Sequence, residues 1–544
     1  MKKSSRLFAH RNSARDLTAL SGEQIPERPR PPSLWGVSIL LAVLPLASAC
    51  SSNDAPSSAT AGGSSAAVNA GGDGAGTTSN GGSSSSGDGG GGQAQAASGG
   101  SGTEASCDTS KTPIEEACLL NNDYAVFLSP IGADGSDGSM TAPLATLSAA
   151  IQRAAGKKTV VVCDGTYDEH VVVAGTAHVY GGFSCAAGSW AKEAGAPLFR
   201  PSTPGPALTV NGIDTDVVVD SVDFEVPDAQ LPGQTALAAL VNNSPNVSLR
   251  NVTLTAGAGA DGANGTVETF LYPNPSLLNG NSESVGGAGS AAKTCECQTG
   301  LMSLGGAGGH SGANLGSTGM PGTPNAGGGR GGYPDLSDCR DGGSGTNGGD
   351  APRGTRGDGA TTHGTATETG WNPANGADGG IGDPGQGGGG GASLDGLAPG
   401  GGGACGACGG NGATGGQGGG ASIALLAVSS GVTLTGCTLT SKAGGNGGAG
   451  HSGQIGQAIA GTGGETISTA DSCPGGNGGK GGDGGTSGGG AGGISVGVAW
   501  KGTLAPVLSG TTIATGKPGA KGIGGTAGTN DGIRGLASDK LLVD

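Results

Sequence analysis

The chain has 544 residues, of which 123 are Gly, with only 6 Phe, 5 Tyr and 4 Trp and a formal net charge of −16. Gly has the most backbone entropy to lose on folding, and aromatics supply much of a core's buried area, so this length does not fill two or three ordinary cores. The acidic balance leaves no basic patch for nucleic acid or an anionic surface, and the period of Gly316, Gly319 and Gly322 breaks at once, which excludes a collagen triple helix.

Residues 1–49 read as a targeting segment. Lys2, Lys3, Arg6, Arg11, Arg15, Arg28 and Arg30 precede an uncharged apolar stretch from Leu34 to Leu46, shorter than the ~20 residues a membrane-spanning helix needs. The stretch ends in Leu46-Ala47-Ser48-Ala49-Cys50, which resembles a bacterial lipobox except that Ala47 stands where Leu is usual. The resemblance implies that Cys50 is lipidated and becomes the mature N-terminus, with the membrane reached through that anchor at the outer membrane or cell surface. Ala47-Ser48-Ala49 also suits ordinary signal peptidase, which gives simple secretion as the alternative. Residues 50–106 are Ser, Gly, Ala, Thr and Asn for the most part and form a tether too polar to fold. As a flexible coil it reaches ~40 Å.

The folded part begins at Cys107. Leu144, Leu147, Ile151 and Ala154 fall at helical spacing and predict an amphipathic helix that caps the first coil. Tyr124 to Gly138, Pro143 to Ala155, Val160-Val-Val-Cys-Asp-Gly-Thr-Tyr167 and Val179-Tyr-Gly-Gly-Phe183 together resemble the N-terminal module of bacterial pectin-lyase-like β-helix proteins.

An eight-residue pattern then recurs: Val217-x-Val219-x-x-Val222-x-Phe224, Val247-x-Leu249-x-x-Val252-x-Leu254 and Val432-x-Leu434-x-x-Cys437-x-Leu439, with a weaker copy at Pro506-x-Leu508-x-x-Thr511-x-Ile513. Another apolar strand precedes each copy. Alternation sends Val217, Val219, Val222 and Phe224 inward and Asp216, Asp220, Asp223 and Glu225 outward, with a corner between the half-patterns. Short strands repeating with one inward face predict an all-β chain built as a short right-handed parallel β-helix, with a β-sandwich as the alternative.

At the end of later copies the chain enters Gly-rich sequence: Thr255 to Gly265, Thr440 to Gly450, Thr515 to Gly522. Residues 301–420 hold 47 Gly, too long and too rich for an ordinary loop. The likeness to mycobacterial PE-PGRS repeats is one of composition only. These insertions are expected to be largely irregular, with packed polyglycine-II strands as the ordered alternative. The expected organisation is therefore leader 1–49, tether 50–106, N-terminal module and first coils 107–265, Gly-rich insertion 266–420, coil 421–450, insertion 451–492, and last coil and tail 493–544.

In an exported chain Cys107, Cys118, Cys163, Cys185, Cys295, Cys297, Cys339, Cys405, Cys408 and Cys473 are disulfide candidates, and Cys437, at a strand position, is expected to stay free. Cys405-Gly-Ala-Cys408 with Cys295-Glu-Cys297 offers zinc as the alternative, though structural zinc sites often pair two CxxC units.

Pectin-lyase-like folds host lyases and hydrolases, but the polygalacturonase motifs are absent, and Gly309-His310-Ser311 is the nearest fragment. The outward acids could bind Ca²⁺ or act as paired carboxylates, and are read instead as a solvated face. Asp164, Tyr167, Asp168, Glu169 and His170 are read as a structural turn, Asp134-Gly-Ser-Asp137-Gly as a turn, and Arg356-Gly-Asp358 as a chance match. The expectation is a non-enzymatic surface lipoprotein, without catalytic residues, metal or cofactor. It would display Gly-rich loops for adhesion, matrix or envelope contact. A polysaccharide or a surface protein is the expected ligand, and a carbohydrate-active lyase or hydrolase is the alternative.

Overall fold

The computed structural model describes residues 107–544, apart from 156–157, 193–194, 283–287, 312–320, 325–326, 334–338, 340–342, 395–397 and 468–470. The leader, Cys50 and the tether lie outside the described residues.

Three sheets of parallel strands carry the fold. The first contains Ala125–Leu128, Thr159–Cys163, Ala177–Ser184, Val217–Asp220, Val247–Arg250, Val432–Thr435 and Val507–Ser509 in that order, with Ala191–Lys192 antiparallel at its side. The second runs from Thr166–Tyr167 through Leu198–Phe199, Asp223–Glu225, Thr253–Ala256 and Thr438–Ser441 to Thr512–Ala514. The third runs from Val171–Val173 through Leu208–Asn211, Ala236–Asn242, Ser422–Val428 and Ser495–Lys501 to Ala537–Leu542. From Leu208 onward the chain visits third, first and second sheet in a fixed rotation, so each eight-residue pattern supplies one strand to the first sheet and one to the second. This stacked arrangement of parallel sheets fits a β-helix.

The register explains the pattern. Tyr167, Phe199, Phe224, Leu254, Leu439 and Ile513 are successive partners across the second sheet, and Val219, Leu249, Leu434 and Leu508 across the first. Phe199 stacks between Tyr167 and Phe224, with ring centroids 4.7 and 5.6 Å away. Each fully buried side chain of this size contributes ~1.5–3 kcal/mol, and no coil could bury its face without the next. Ser221, Asn251, Gly436 and Gly510 occupy one corner in four consecutive coils, all with positive φ (57°, 51°, 66° and 59°). Ser, Asn and Gly at the fifth position of the pattern thus mark where the chain turns, because a β-branched side chain would be strained there.

The helix spans Leu147–Ala154 and buries Leu147, Ala150, Ile151 and Ala154 against the first coil. Thr146 caps its N-terminus, and Ala155, at φ 48°, ends it. Leu144 is not helical: it bridges Leu128, and its N–H and carbonyl bond to Phe127 and Ser129.

The Gly-rich insertions leave from the corner after Thr253–Ala256, after Thr438–Ser441 and after Thr512–Ala514, each on the way from second to third sheet. The expectation that they are largely irregular is corrected. Much of their described length is neither helix nor strand, yet it runs as straight rods hydrogen-bonded to one another at every third residue. Gly376, Gly379, Gly382, Gly385, Gly388 and Gly391 donate to the carbonyls of Gly416, Ala413, Gly410, Ala407, Ala404 and Gly401, all at 2.8–2.9 Å. Ala404, Ala407 and Gly410 donate in turn to Gly476, Gly479 and Gly482, and the N–H groups of those three glycines return to Gly389, Gln386 and Asp383. Rods 374–392, 400–420 and 473–493 therefore close a triangle. Three residues per turn is the polyproline II period, here with the backbone groups paired between rods instead of solvated. At Gly388 an added Cβ would overlap the carbonyl of Gly476, so glycine is needed for close approach and not for a left-handed backbone.

Candidate functional site

The four outward acids do not converge. Asp216 is exposed on the rim of the first sheet, whereas Asp220 is 7% exposed, its carboxylate accepting from Ser221 Oγ at 2.9 Å and Asn251 Nδ2 at 3.0 Å. Past the corner, Asp223 accepts from the Thr253 N–H at 2.8 Å and Glu225 pairs with Arg200. Asp220, Asp223 and Glu225 each bond a residue of an adjacent coil, so the row joins one coil to the next. Asp220 is the departure from the expected solvated face, because the neighbouring coil's corner residue closes over it.

The turn at 164–170 is likewise occupied by structural work. Tyr167 is buried, its hydroxyl donates to the Cys163 carbonyl at 2.8 Å, and burial pushes its ionisation upward. Asp168 accepts from the Ser202 N–H at 2.7 Å, which holds its carboxyl below the usual range. Glu169 receives the N–H groups of Leu147 at 2.7 Å and Ser148 at 2.8 Å, placing a carboxylate on two orphan donors of the helix start. The His170 ring bridges the Pro206 carbonyl and Thr203 Oγ1, both at 2.8 Å. Asp134 accepts from Ala145 N, Thr146 N and Thr146 Oγ1; burial raises its carboxyl, and these bonds outweigh that and lower it. Asp137 accepts from the Ser139 N–H at 2.9 Å. Gly357 sits inside a rod, donating to the Thr486 carbonyl, with Arg356 and Asp358 exposed on either side. His310 Nδ1 accepts from the Gly289 N–H at 3.1 Å.

Ten of the cysteines are joined in pairs. Disulfides join Cys107 to Cys118, Cys163 to Cys185, Cys295 to Cys405, Cys297 to Cys408 and Cys339 to Cys473, and Cys437 is a free, buried thiol that burial makes harder to ionise. Cys405 and Cys408 are three residues apart on rod 400–420, so the rod's own period presents both to the antiparallel pair of strands Lys293–Glu296 and Met302–Gly305. That period is what the CxxC spacing reflects. Among the described residues no group of three or more His, Cys, Asp or Glu could hold a metal ion, and no helix is long and apolar enough to cross a membrane.

One set of functional side chains has no forerunner in the sequence reading. Asn and Asp immediately before a Gly accept an N–H from the adjacent rod. Asp261 takes that of Asn446 (2.6 Å), Asn446 that of Ala520 (2.9 Å), Asn347 that of Asn477 (2.9 Å) and Asp350 that of Lys480 (2.7 Å). Asp350 precedes Ala and not Gly, so the rule is the outward position on the rod rather than the dipeptide. The signal was the spacing of Asp261 from Asn264 and of Asn347 from Asp350, three residues in each case.

Two hollows remain. A groove of about 420 Å³ crosses the outer face of the first sheet over Val218, Ser248 and Thr433, with Asp216, Asn246 and Arg250 at its sides. A hollow of about 560 Å³ lies beside the capping helix at Ser148, Ile151, Gln152, Val172 and Thr176.

No protein-family model and no curated protein matches the chain. A solved rhamnogalacturonan lyase matches at 17% identity and a TM-score of 0.18, covering 25% of this chain and 36% of the lyase. The chain thus spans about a third of that protein's length.

Proposed function

We propose that this chain is a non-enzymatic, lipid-anchored protein of the outer membrane or cell surface. Its coils wind right-handed as a parallel β-helix, and it holds its glycine rods out for adhesion, matrix or envelope contact. The observation that carries this reading is where the insertions go. They leave one corner and are consumed in a hydrogen-bonded array, instead of folding around a hollow with convergent acids. A right-handed winding agrees with the strong preference of parallel crossovers for that hand. The lipobox-like Leu46 to Cys50 supports the anchor, and the polar tether supports display away from a membrane.

Metabolic labelling with palmitate tests the anchor: label is expected on the wild type and lost in Cys50→Ala, and an unlabelled wild type refutes it. Incubation with acidic polysaccharides tests the rest. Neither unsaturated nor reducing ends should accumulate. Sugar release abolished by Asp220→Ala or Asp223→Ala, with the fold retained, would overturn the non-enzymatic reading in favour of a lyase or hydrolase. Adhesion of cells carrying the intact chain to polysaccharide or protein-coated surfaces, and its loss on deleting the gene, reads the contact itself.

A further inference from the structure

Asn followed by Gly is prone to lose its side-chain amide, because glycine has no side chain to keep its nitrogen from the Asn carboxamide carbon. The described residues contain eight such pairs, and the fold holds seven of them at both reacting groups. The N–H groups of Gly265, Gly280, Gly348 and Gly447 donate to the carbonyls of Ala449, Thr462, Asn477 and Ala520. Those same four residues return their own N–H to Oδ1 of Asn264, Asn279, Asn347 and Asn446, with every bond 2.7–2.9 Å long. At Asn211, Asn375 and Asn477 the following glycine likewise donates to a carbonyl, and Oδ1 accepts from Asn242 Nδ2, the Gly418 N–H and the Gly463 N–H. Asn411-Gly412 is the exception. Among the described residues no acceptor meets the Gly412 N–H, and the Asn411 carboxamide donates Nδ2 to the Glu268 carbonyl at 2.9 Å. The cause lies on rod 374–392. There Asn375 and Asp378 take the N–H groups of Gly418 and Gly415 at 2.8 and 2.6 Å, so the period of three assigns position 381 to Gly412. That position is Ile, 45% exposed, which offers no acceptor. Ile381, Asn411 and Gly412 line a recess of about 230 Å³ with Glu268 and Asp378.

We propose that Asn411 is a modification site, where the array converts spontaneously to aspartate and isoaspartate as the protein ages. The Gly412 nitrogen gives its proton to hydroxide and bonds to Asn411 Cγ. The Cγ–Nδ2 bond breaks, and Nδ2 takes a proton from water and leaves as ammonia. Water then opens the cyclic imide at either carbonyl, giving aspartate or isoaspartate, and water is the only co-reactant. In the other pairs the ring closes only after the bonds around the Asn have opened, so the opening equilibrium slows the reaction there. Both products add a carboxylate to a recess that Glu268 and Asp378 already line. Isoaspartate also inserts a methylene into the backbone of rod 400–420. The bonds just past it, from the Ala413 and Gly416 N–H groups to the Gly485 and Gly488 carbonyls, are thereby put out of step.

The test incubates the folded full chain at mildly alkaline pH and follows each Asn-Gly peptide by mass spectrometry with isoaspartate detection. Asn411 is expected to convert roughly tenfold faster than any other pair, and unfolding with reduction of the disulfides should bring all of them to similar rates. Ile381→Asp, which offers Gly412 the acceptor that Asp378 offers Gly415, should slow Asn411 towards the others and leave those unchanged, whereas Ile381→Ala should not slow it. An Asn411 that converts no faster than the rest in the folded chain overturns the proposal. So does a lead that persists undiminished after unfolding, which would place its cause in the local sequence and not in the array. An undiminished rate in Ile381→Asp, with that variant melting like the parent, would overturn it too.

Discussion

The coil stack and the glycine array are both periodic, and they bury their backbones by opposite means. In the coils a period of two sends Val, Leu and Phe into a shared interior, and burial of apolar surface is the main driving force. In the array a period of three brings backbone against backbone with no side chain between. Each inter-rod hydrogen bond contributes a net ~0.5–1.5 kcal/mol, whereas ordering a residue costs ~1–2 kcal/mol, and glycine lies at the costly end. Hydrogen bonds alone do not carry such an array. It is tied instead by three of the five disulfides, and these close the longest spans, with sequence separations of 110, 111 and 134. The chain places covalent links where side-chain packing is missing.

Removing one large side chain from the coil interior should be the most damaging change. Phe224, 1% exposed and stacked on Phe199, is expected to lose about 4 kcal/mol as Phe224→Ala in chemical denaturation, and a loss below about 1 kcal/mol would show that the stack does not carry the coils. Next, opening the Cys297–Cys408 link by a double Cys→Ala change should cost about 3 kcal/mol and lower hydrogen-exchange protection in rods 374–392 and 400–420 ahead of the coils. Equal loss of protection in both regions would mean that they unfold as one unit. Third, Gly388→Ala should cost about 2 kcal/mol, because its methyl meets the Gly476 carbonyl, whereas Gly135→Ala, with open space around it, should be nearly neutral. Similar effects at the two sites would remove the close-approach argument.

The smallest effect is electrostatic. The Lys521 ammonium and the Gly524 and Gly528 N–H groups hold Asp531 down to about 2. Because the folded value lies below the unfolded one, its stabilisation is fully present above the ordinary carboxylate range and is lost as pH falls from about 4 towards 2. A melting series on Asp531→Asn should show a shallower decline over that window, and an unchanged slope would discount the carboxylate.

Much of the coil architecture is legible in the sequence, since Val217, Val247 and Val432 head copies that become register partners in one parallel sheet. In the sequence the corner shows as a gap of two residues between the half-patterns. That one of them is Ser221, Asn251, Gly436 or Gly510 held at positive φ needed the backbone to be seen. The candidate acids were legible as outward-facing, but alternation along a single strand says nothing of the next coil, and that coil is what buries Asp220. Local pattern also could not place Glu169 on the helix start, because that contact spans 21 and 22 residues.

By itself the sequence determined the strand periodicity, the inward face, the capping helix and the corner from which glycine departs, all of which follow from spacing within a dozen residues. It also set the glycine content that makes close approach sterically open. Only the tertiary structure decided what the glycine does. Period three becomes visible as a physical repeat when a second and a third rod supply the carbonyls. Which rods meet depends on connections across scores of residues that no local rule encodes. Among the described residues the glycine excess is thus neither collagen nor slack loop. It is a second packing scheme, in which leaving out the side chain lets backbones bond directly to one another.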